Sequence, residues 1–168
     1  GKPIKNKAVG YQKQKEGYKF STNNQLSYGA GGMGSSVNDM AIWMKMLNGQ
    51  ILQFKYLAQF LKTTERLTTG GKAKYARGIM LDDYKGYITT SHGGIGFGGR
   101  SQLITVEEKE FGIIVLTNLE SIDAPRIAYQ ILDILLSKNG KNSEKSNVEV
   151  VLNQQNINDF TGEYKEIH

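Results

Sequence analysis

Between positions 123 and 136 apolar residues recur at Ala124, Ile127, Ala128, Ile131, Leu132, Leu135 and Leu136. That i, i+3, i+4, i+7 series marks one face of a helix. Asp123 stands where an N-cap is needed, and Pro125 falls in the first turn, where its missing N–H costs nothing. Such a stripe needs a sheet face to receive it. A second helix is predicted after Ser36, where Val37, Met40, Ala41, Met44 and Leu47 share a face and Asn48-Gly49 supplies the stop. Ile42, Trp43 and Met46 widen its apolar surface almost all the way round, so the helix is expected to be largely buried, with Trp43 and the methionines in the core. Ser36 followed by Asp39 has the form of a capping box, which accounts for that serine structurally. A shorter helix is predicted over 53–62, with Phe54, Leu57, Ala58 and Leu61 inward.

The strand signals are shorter. Residues 8–12 and 18–20 predict two strands around a polar turn at 13–17, and 63–74 is polar and glycine-bearing, as a loop would be. The runs 76–81 and 87–91 predict strands flanking a charged turn, Asp82-Asp83-Tyr84-Lys85-Gly86. Two further apolar runs, 101–106 and 111–116, are joined by Glu107-Glu108-Lys109-Glu110. The result is an antiparallel sheet of four strands packed with helices, an α+β fold. The domain reading is a folded unit over 1–137, a polar linker over 138–159, and the opening of a further β element over 160–168.

Composition changes this picture little. With 168 residues, 39% hydrophobic and 22% charged, the chain is sized for one domain with a real core. The net charge of +5 comes from dispersed lysines with no stacking motif for bases, so nucleic acid is not an expected partner. The absence of cysteine removes disulfides, thiolate metal sites and a cysteine nucleophile. Two histidines far apart in the sequence make a metal site unexpected, and no apolar run is long enough to span a bilayer.

Candidate chemistry concentrates at Ser91-His92-Gly93-Gly94-Ile95-Gly96. A histidine at a strand end, followed by glycines that admit another backbone, presents an imidazole and a backbone N–H to a bound acyl group. The plainer alternative is a turn histidine bonded to backbone. Asp82-Asp83 reads as a solvated turn rather than an acid–base pair, and His168 is terminal.

The run Gly31-Gly32-Met33-Gly34-Ser35-Ser36-Val37-Asn38-Asp39-Met40, then His92-Gly93-Gly94 ahead of two strands, then Val115-Leu116-Thr117-Asn118 before the long helix, resembles the C-terminal half of the serine β-lactamase-like hydrolases. That superfamily includes class C β-lactamases, penicillin-binding proteins, D-aminopeptidases and esterases. The resemblance runs from about residue 8 to residue 136, and Phe160-Thr161-Gly162-Glu163-Tyr164 looks like the start of the small β domain that follows the catalytic domain in many members. It implies the C-terminal portion of a β-lactamase/transpeptidase-like fold, acyl transfer through an acyl-enzyme, no cofactor, and a protein exported by a bacterium. It also implies that His92 is the catalytic residue of a His-x-Gly motif, orienting a substrate carboxylate or assisting proton movement. Gly93 and Gly94 would let substrate lie along the strand, and the Ile95 N–H would be an oxyanion-hole donor.

The family's other two motifs are absent. None of the ten serines has lysine three places on, and none of the nine tyrosines is followed two places on by asparagine. A serine without a base is a poor nucleophile. The expectation is therefore a C-terminal portion of a longer hydrolase, inactive alone, whose uncovered apolar surface or strand edge leads to self-association or to a partner carrying the other half. The alternative is a non-catalytic family member that binds peptidoglycan-like peptides or another protein through the same groove. A Ser-x-x-Lys encoded upstream of Gly1 would favour the first; a start codon there would favour the second.

Overall fold

The computed structural model of the chain describes residues 5–21 and 29–137. The linker and further β element expected over 138–168 lie outside the described residues. Strands β1 (Tyr11–Lys13) and β2 (Tyr18–Phe20) pair antiparallel, with the Tyr11 and Phe20 rings 5.2 Å apart. Helix α1 (Val37–Leu47) and, after a 3₁₀ turn at Leu52–Phe54, helix α2 (Lys55–Leu61) precede the main sheet. That sheet is a meander of β3 (Met80–Tyr84), β4 (Tyr87–Gly96), β5 (Gly99–Val106) and β6 (Phe111–Thr117), in spatial order β3-β4-β5-β6, and helix α3 (Ala124–Ser137) follows. The α+β architecture with a four-stranded antiparallel sheet is the one the hydrophobic pattern predicts.

The sheet is filled on both sides. On one face Tyr87, Ile104, Val106 and Ile113 meet Ala128, Leu132 and Leu136 of α3. On the other Leu103 packs with Met46 and Leu47 of α1, Ala58 of α2 and Ile79. Lys62 at the end of α2 pairs with Glu107, tying that helix to the connection between β5 and β6. Strand β1 is fastened beyond the far end of β6: the Tyr11 N–H donates to the Asn118 carbonyl at 2.8 Å and the Glu120 N–H to the Tyr11 carbonyl at 3.1 Å.

Both predicted helix starts hold. The Asp39 N–H donates to Ser36 Oγ at 3.2 Å, and the Arg126 N–H to Asp123 Oδ1 at 3.1 Å. In the first cap the Asp39 carboxylate takes the Ser36 hydroxyl at 2.8 Å, so the two side chains bond each other as well as the backbone.

Several expectations are corrected. Strand β3 runs from Met80 to Tyr84 rather than over 76–81, so Asp82 and Asp83 lie in the strand and the turn shrinks to Lys85-Gly86. Both turn residues take left-handed backbone, φ 54° and 78°. That is the type I′ geometry whose twist matches the flanking strands, and it pairs Tyr84 directly with Tyr87. Helix α2 is shorter than predicted, and only Ala58 is buried on it; Phe54 and Leu57 are exposed. Helix α1 is not largely buried: Met46 and Leu47 are, but Ile42 is 59% exposed and Trp43 39%. Its amphipathicity outruns the surface available to cover it. The same holds on α3, where Ala124, Ala128, Leu132 and Leu136 are buried while Ile131, Ile134 and Leu135 face outward.

The Tyr84 hydroxyl donates to Asp133 Oδ1 at 2.7 Å, and Lys85 Nζ reaches the same oxygen at 2.6 Å. Burial of the phenol, then the bond to Asp133, pushes the Tyr84 pKa up to about 12. A proton held more tightly in the folded state stabilises the fold fully below the unfolded-state pKa of about 10, and that contribution is lost as pH rises towards the folded value. Tyr84→Phe is expected to remove this share of the alkaline fall in stability between about pH 10 and 12, read from urea midpoints along a pH series.

Candidate active site

The ten-residue β4 is twice as long as its neighbour β3. Tyr87–Ser91 pair with β3, the last contact being Ser91 with Met80, whereas His92 to Gly96 pair only with β5. The correction to the sequence reading is local: His92 sits in mid-strand rather than at a strand end, and Gly93 and Gly94 continue the strand. The glycine-rich turn is Phe97-Gly98, both left-handed at φ 52° and 71°, another type I′ geometry.

The two turns fix which backbone groups face outward. In a two-residue hairpin the residues flanking the turn exchange both hydrogen bonds, and bonded and non-bonded pairs alternate from there. Tyr87 flanks the first turn, so Tyr87, Thr89, Ser91, Gly93 and Ile95 direct N–H and C=O towards the β3 side. Gly96 flanks the second, so His92, Gly94 and Gly96 direct theirs to β5. Because β3 stops opposite Ser91, the N–H and C=O of Gly93 and Ile95 lie on an open edge, and no backbone bond from any described residue covers them there.

Glycine at both positions has a packing reason. A Cβ on Gly93 would sit 2.7 Å from Gln102 Oε1, and one on Gly94 2.7 Å from Ser101 Oγ. The strand therefore carries no side chain where the cross-strand neighbours lean over it, and Ile95 beyond them is 62% exposed. An incoming chain meets bare backbone along Gly93-Gly94.

At the point where β3 ends lies a cavity of about 300 Å³, walled by Tyr75, Met80, Ser91, His92, Gly93 and Gln102, with Asp82 and Tyr129 also on its surface. The Tyr75 hydroxyl and His92 Nε2 are 3.0 Å apart and their rings 5.9 Å. Lys74, next to Tyr75, reaches Asp82 Oδ1 at 2.7 Å, and that bond raises its pKa. Sequence reasoning passed over Tyr75. It lies 17 residues before His92, between a predicted loop and a predicted strand, and nothing local marks it. Gln102, buried on β5 opposite Gly93, was likewise read only as part of a strand. No group of three or more His, Cys, Asp or Glu side chains among the described residues is arranged to hold a metal ion. No helix among them is long and apolar enough to cross a membrane.

Chemically, the arrangement offers two free backbone donors, a strand edge that an extended chain can join, and an imidazole beside it. None of the ten serines in the sequence has lysine three places on.

Comparison with known proteins bears on the fold and the family. A D-aminopeptidase from Brucella anthropi is 28% identical over 133 residues, which is 79% of this chain and 25% of that protein. The solved structure of the octameric penicillin-binding protein homologue from Pyrococcus abyssi matches with a TM-score of 0.58 at 24% identity, over 77% of this chain and 31% of that one. That second likeness concerns the fold alone. The chain spans about a quarter of the length of the D-aminopeptidase it matches. The Beta-lactamase family matches residues 2–136, four-fifths of the sequence, and the chain belongs to that family.

Proposed function

We propose that this chain forms one wall of a serine acyl-hydrolase site: the open edge of β4 receives the substrate backbone, the Ile95 N–H donates to the developing oxyanion, and His92 orients the bound group. The attacking hydroxyl and its base come from a polypeptide segment bearing Ser-x-x-Lys. Substrate is a small ester, amide or peptide whose carbonyl reaches Ile95 while its backbone pairs with Gly93. The single observation that carries this reading is the free edge at Gly93 and Ile95 beside an exposed imidazole. Preorganised backbone donors of this kind stabilise negative charge without reorganising during the reaction.

Association with a complementary segment or a second copy follows from the same reading. Ile42 and Trp43 on α1, Ile131 and Ile134 on α3, and the edge strand β6, which carries no charged residue, leave apolar surface and backbone available to a partner. The Pyrococcus abyssi homologue is an octamer.

The test is an assay with p-nitrophenyl ester and chromogenic β-lactam. The chain alone is expected to show no turnover above background, and the chain joined to or mixed with the serine-bearing segment to hydrolyse at least one of them. Turnover by the chain alone would defeat the proposal. A second reading, a peptide-binding module, is favoured by the fact that the open edge is complete without a Ser-x-x-Lys serine; saturable shifts of the Gly93 and Ile95 amides on peptide addition, with no activity in either preparation, would select it.

A further inference from the structure

Tyr75 and His92 stand 3.0 Å apart, oxygen to Nε2, on the wall of the cavity beside the open edge. Neither the hydroxyl nor Nδ1 of the imidazole bonds any other described side chain or backbone group. A contact between a phenol and a neutral imidazole can be made in two ways. The phenol can donate its proton to the Nε2 lone pair, or Nε2–H can donate to the phenol oxygen. The first is the stronger: a phenol O–H is a good donor, its oxygen lone pairs are delocalised into the ring, and the bare imidazole nitrogen is a strong acceptor. The hydrogen bond at one ring nitrogen decides which tautomer the other presents.

We infer that Tyr75 is a positioning residue that holds neutral His92 in the Nδ1–H tautomer, so that the imidazole offers the site a hydrogen-bond donor and no free lone pair. Protonation leaves this unchanged on the exposed side, since Nδ1 keeps its proton and Nε2–H then donates to the phenol oxygen. His92 therefore acts on a bound group by donating, to a carboxylate or to a leaving oxygen, and the proton abstracted from a nucleophile goes elsewhere. Only that catalytic consequence rests on the acyl-hydrolase reading; the tautomer itself does not.

The experiment is a long-range proton–nitrogen correlation of the imidazoles in the ¹⁵N-labelled chain at about pH 9, where an ordinary histidine is neutral. With two histidines in the sequence, His168→Gln assigns the spectrum. The expected result is a pyrrole-like Nδ1 and a pyridine-like Nε2 for His92, the reverse of the Nε2–H form that free imidazoles favour. Tyr75→Phe keeps the ring, removes only the hydroxyl, and is expected to move His92 to the Nε2–H pattern, with the backbone amide spectrum otherwise retained. An Nε2–H pattern for His92 in the native chain overturns the inference, as does a pattern that Tyr75→Phe leaves unmoved. An Nδ1–H pattern together with failure of the serine-complemented chain to hydrolyse ester or lactam upholds the tautomer and removes the acyl-hydrolase reading instead.

Discussion

Replacing Ile95 with proline is expected to lower kcat for ester hydrolysis by about 10²–10³-fold in the chain complemented with its serine-bearing segment, and to leave the sheet folded. Proline removes one atom that matters, the amide hydrogen, and that hydrogen lies on the open edge rather than in the β5 ladder. Proline is tolerated on a strand where its missing N–H would have faced solvent. The preceding residue, Gly94, has no Cβ to clash with the proline ring. Proline at Gly94 is the matched control: its N–H belongs to the ladder, so that variant should lose sheet structure as well as activity. Amide exchange provides the premise independently, with Gly93 and Ile95 exchanging fast and His92 and Gly94 slowly. An Ile95→Pro enzyme that keeps full kcat would remove this amide from the oxyanion site.

Leu132→Ala is expected to cost about 3 kcal/mol of folding stability, within the 2–5 kcal/mol usual for such a truncation. Leu132 is fully buried, packed among Ile104, Val106, Ile113, Ala128 and Leu136 where α3 lies on the sheet. Losing its methyl groups removes transfer energy and leaves a cavity that a helix held against four strands closes poorly. Against a domain stability of about 5–15 kcal/mol this is a large share. Ile134→Ala, on the opposite face of α3 and 56% exposed, should cost under about 1 kcal/mol. Urea midpoints with unchanged m-values measure both, and equal effects at the two positions would contradict the one-sided packing of α3.

The different fates of α1 and α3 explain how far hydrophobic periodicity reaches. Both helices begin at the cap that short-range chemistry dictates, Ser36 and Asp123. Their apolar stripes identify them as helices, but a stripe specifies only that surface must be covered, and by what is a tertiary matter. In this structure the sheet covers the Ala124-Ala128-Leu132-Leu136 line and leaves Ile131, Ile134 and Leu135 outside. On α1 it covers Met46 and Leu47 and leaves Ile42 and Trp43 exposed. The same limit applies to strand ends. The charged stretch at 82–86 looks like a loop by composition, yet Asp82 and Asp83 are strand residues because two left-handed positions at Lys85-Gly86 suffice to reverse the chain.

The candidate site divides along the same line. His92, Gly93, Gly94 and Ile95 are legible as a group because they are consecutive and their residue types are unusual together. Their order along one strand is enough to suggest a bare backbone beside an imidazole.

By itself the amino-acid sequence determined the secondary elements with strong local signals, the family, the α+β class and the tetrapeptide of the candidate site, since caps, periodicity and consecutive residue types all act over short stretches of chain. Only the tertiary structure decided that β3 ends opposite Ser91, that the amides of Gly93 and Ile95 face an open edge, and that Tyr75 meets His92 across 17 residues of chain. Those facts depend on register and on contacts between distant segments, where a shift of one residue would exchange the inward and outward amides. No local pattern carries that information.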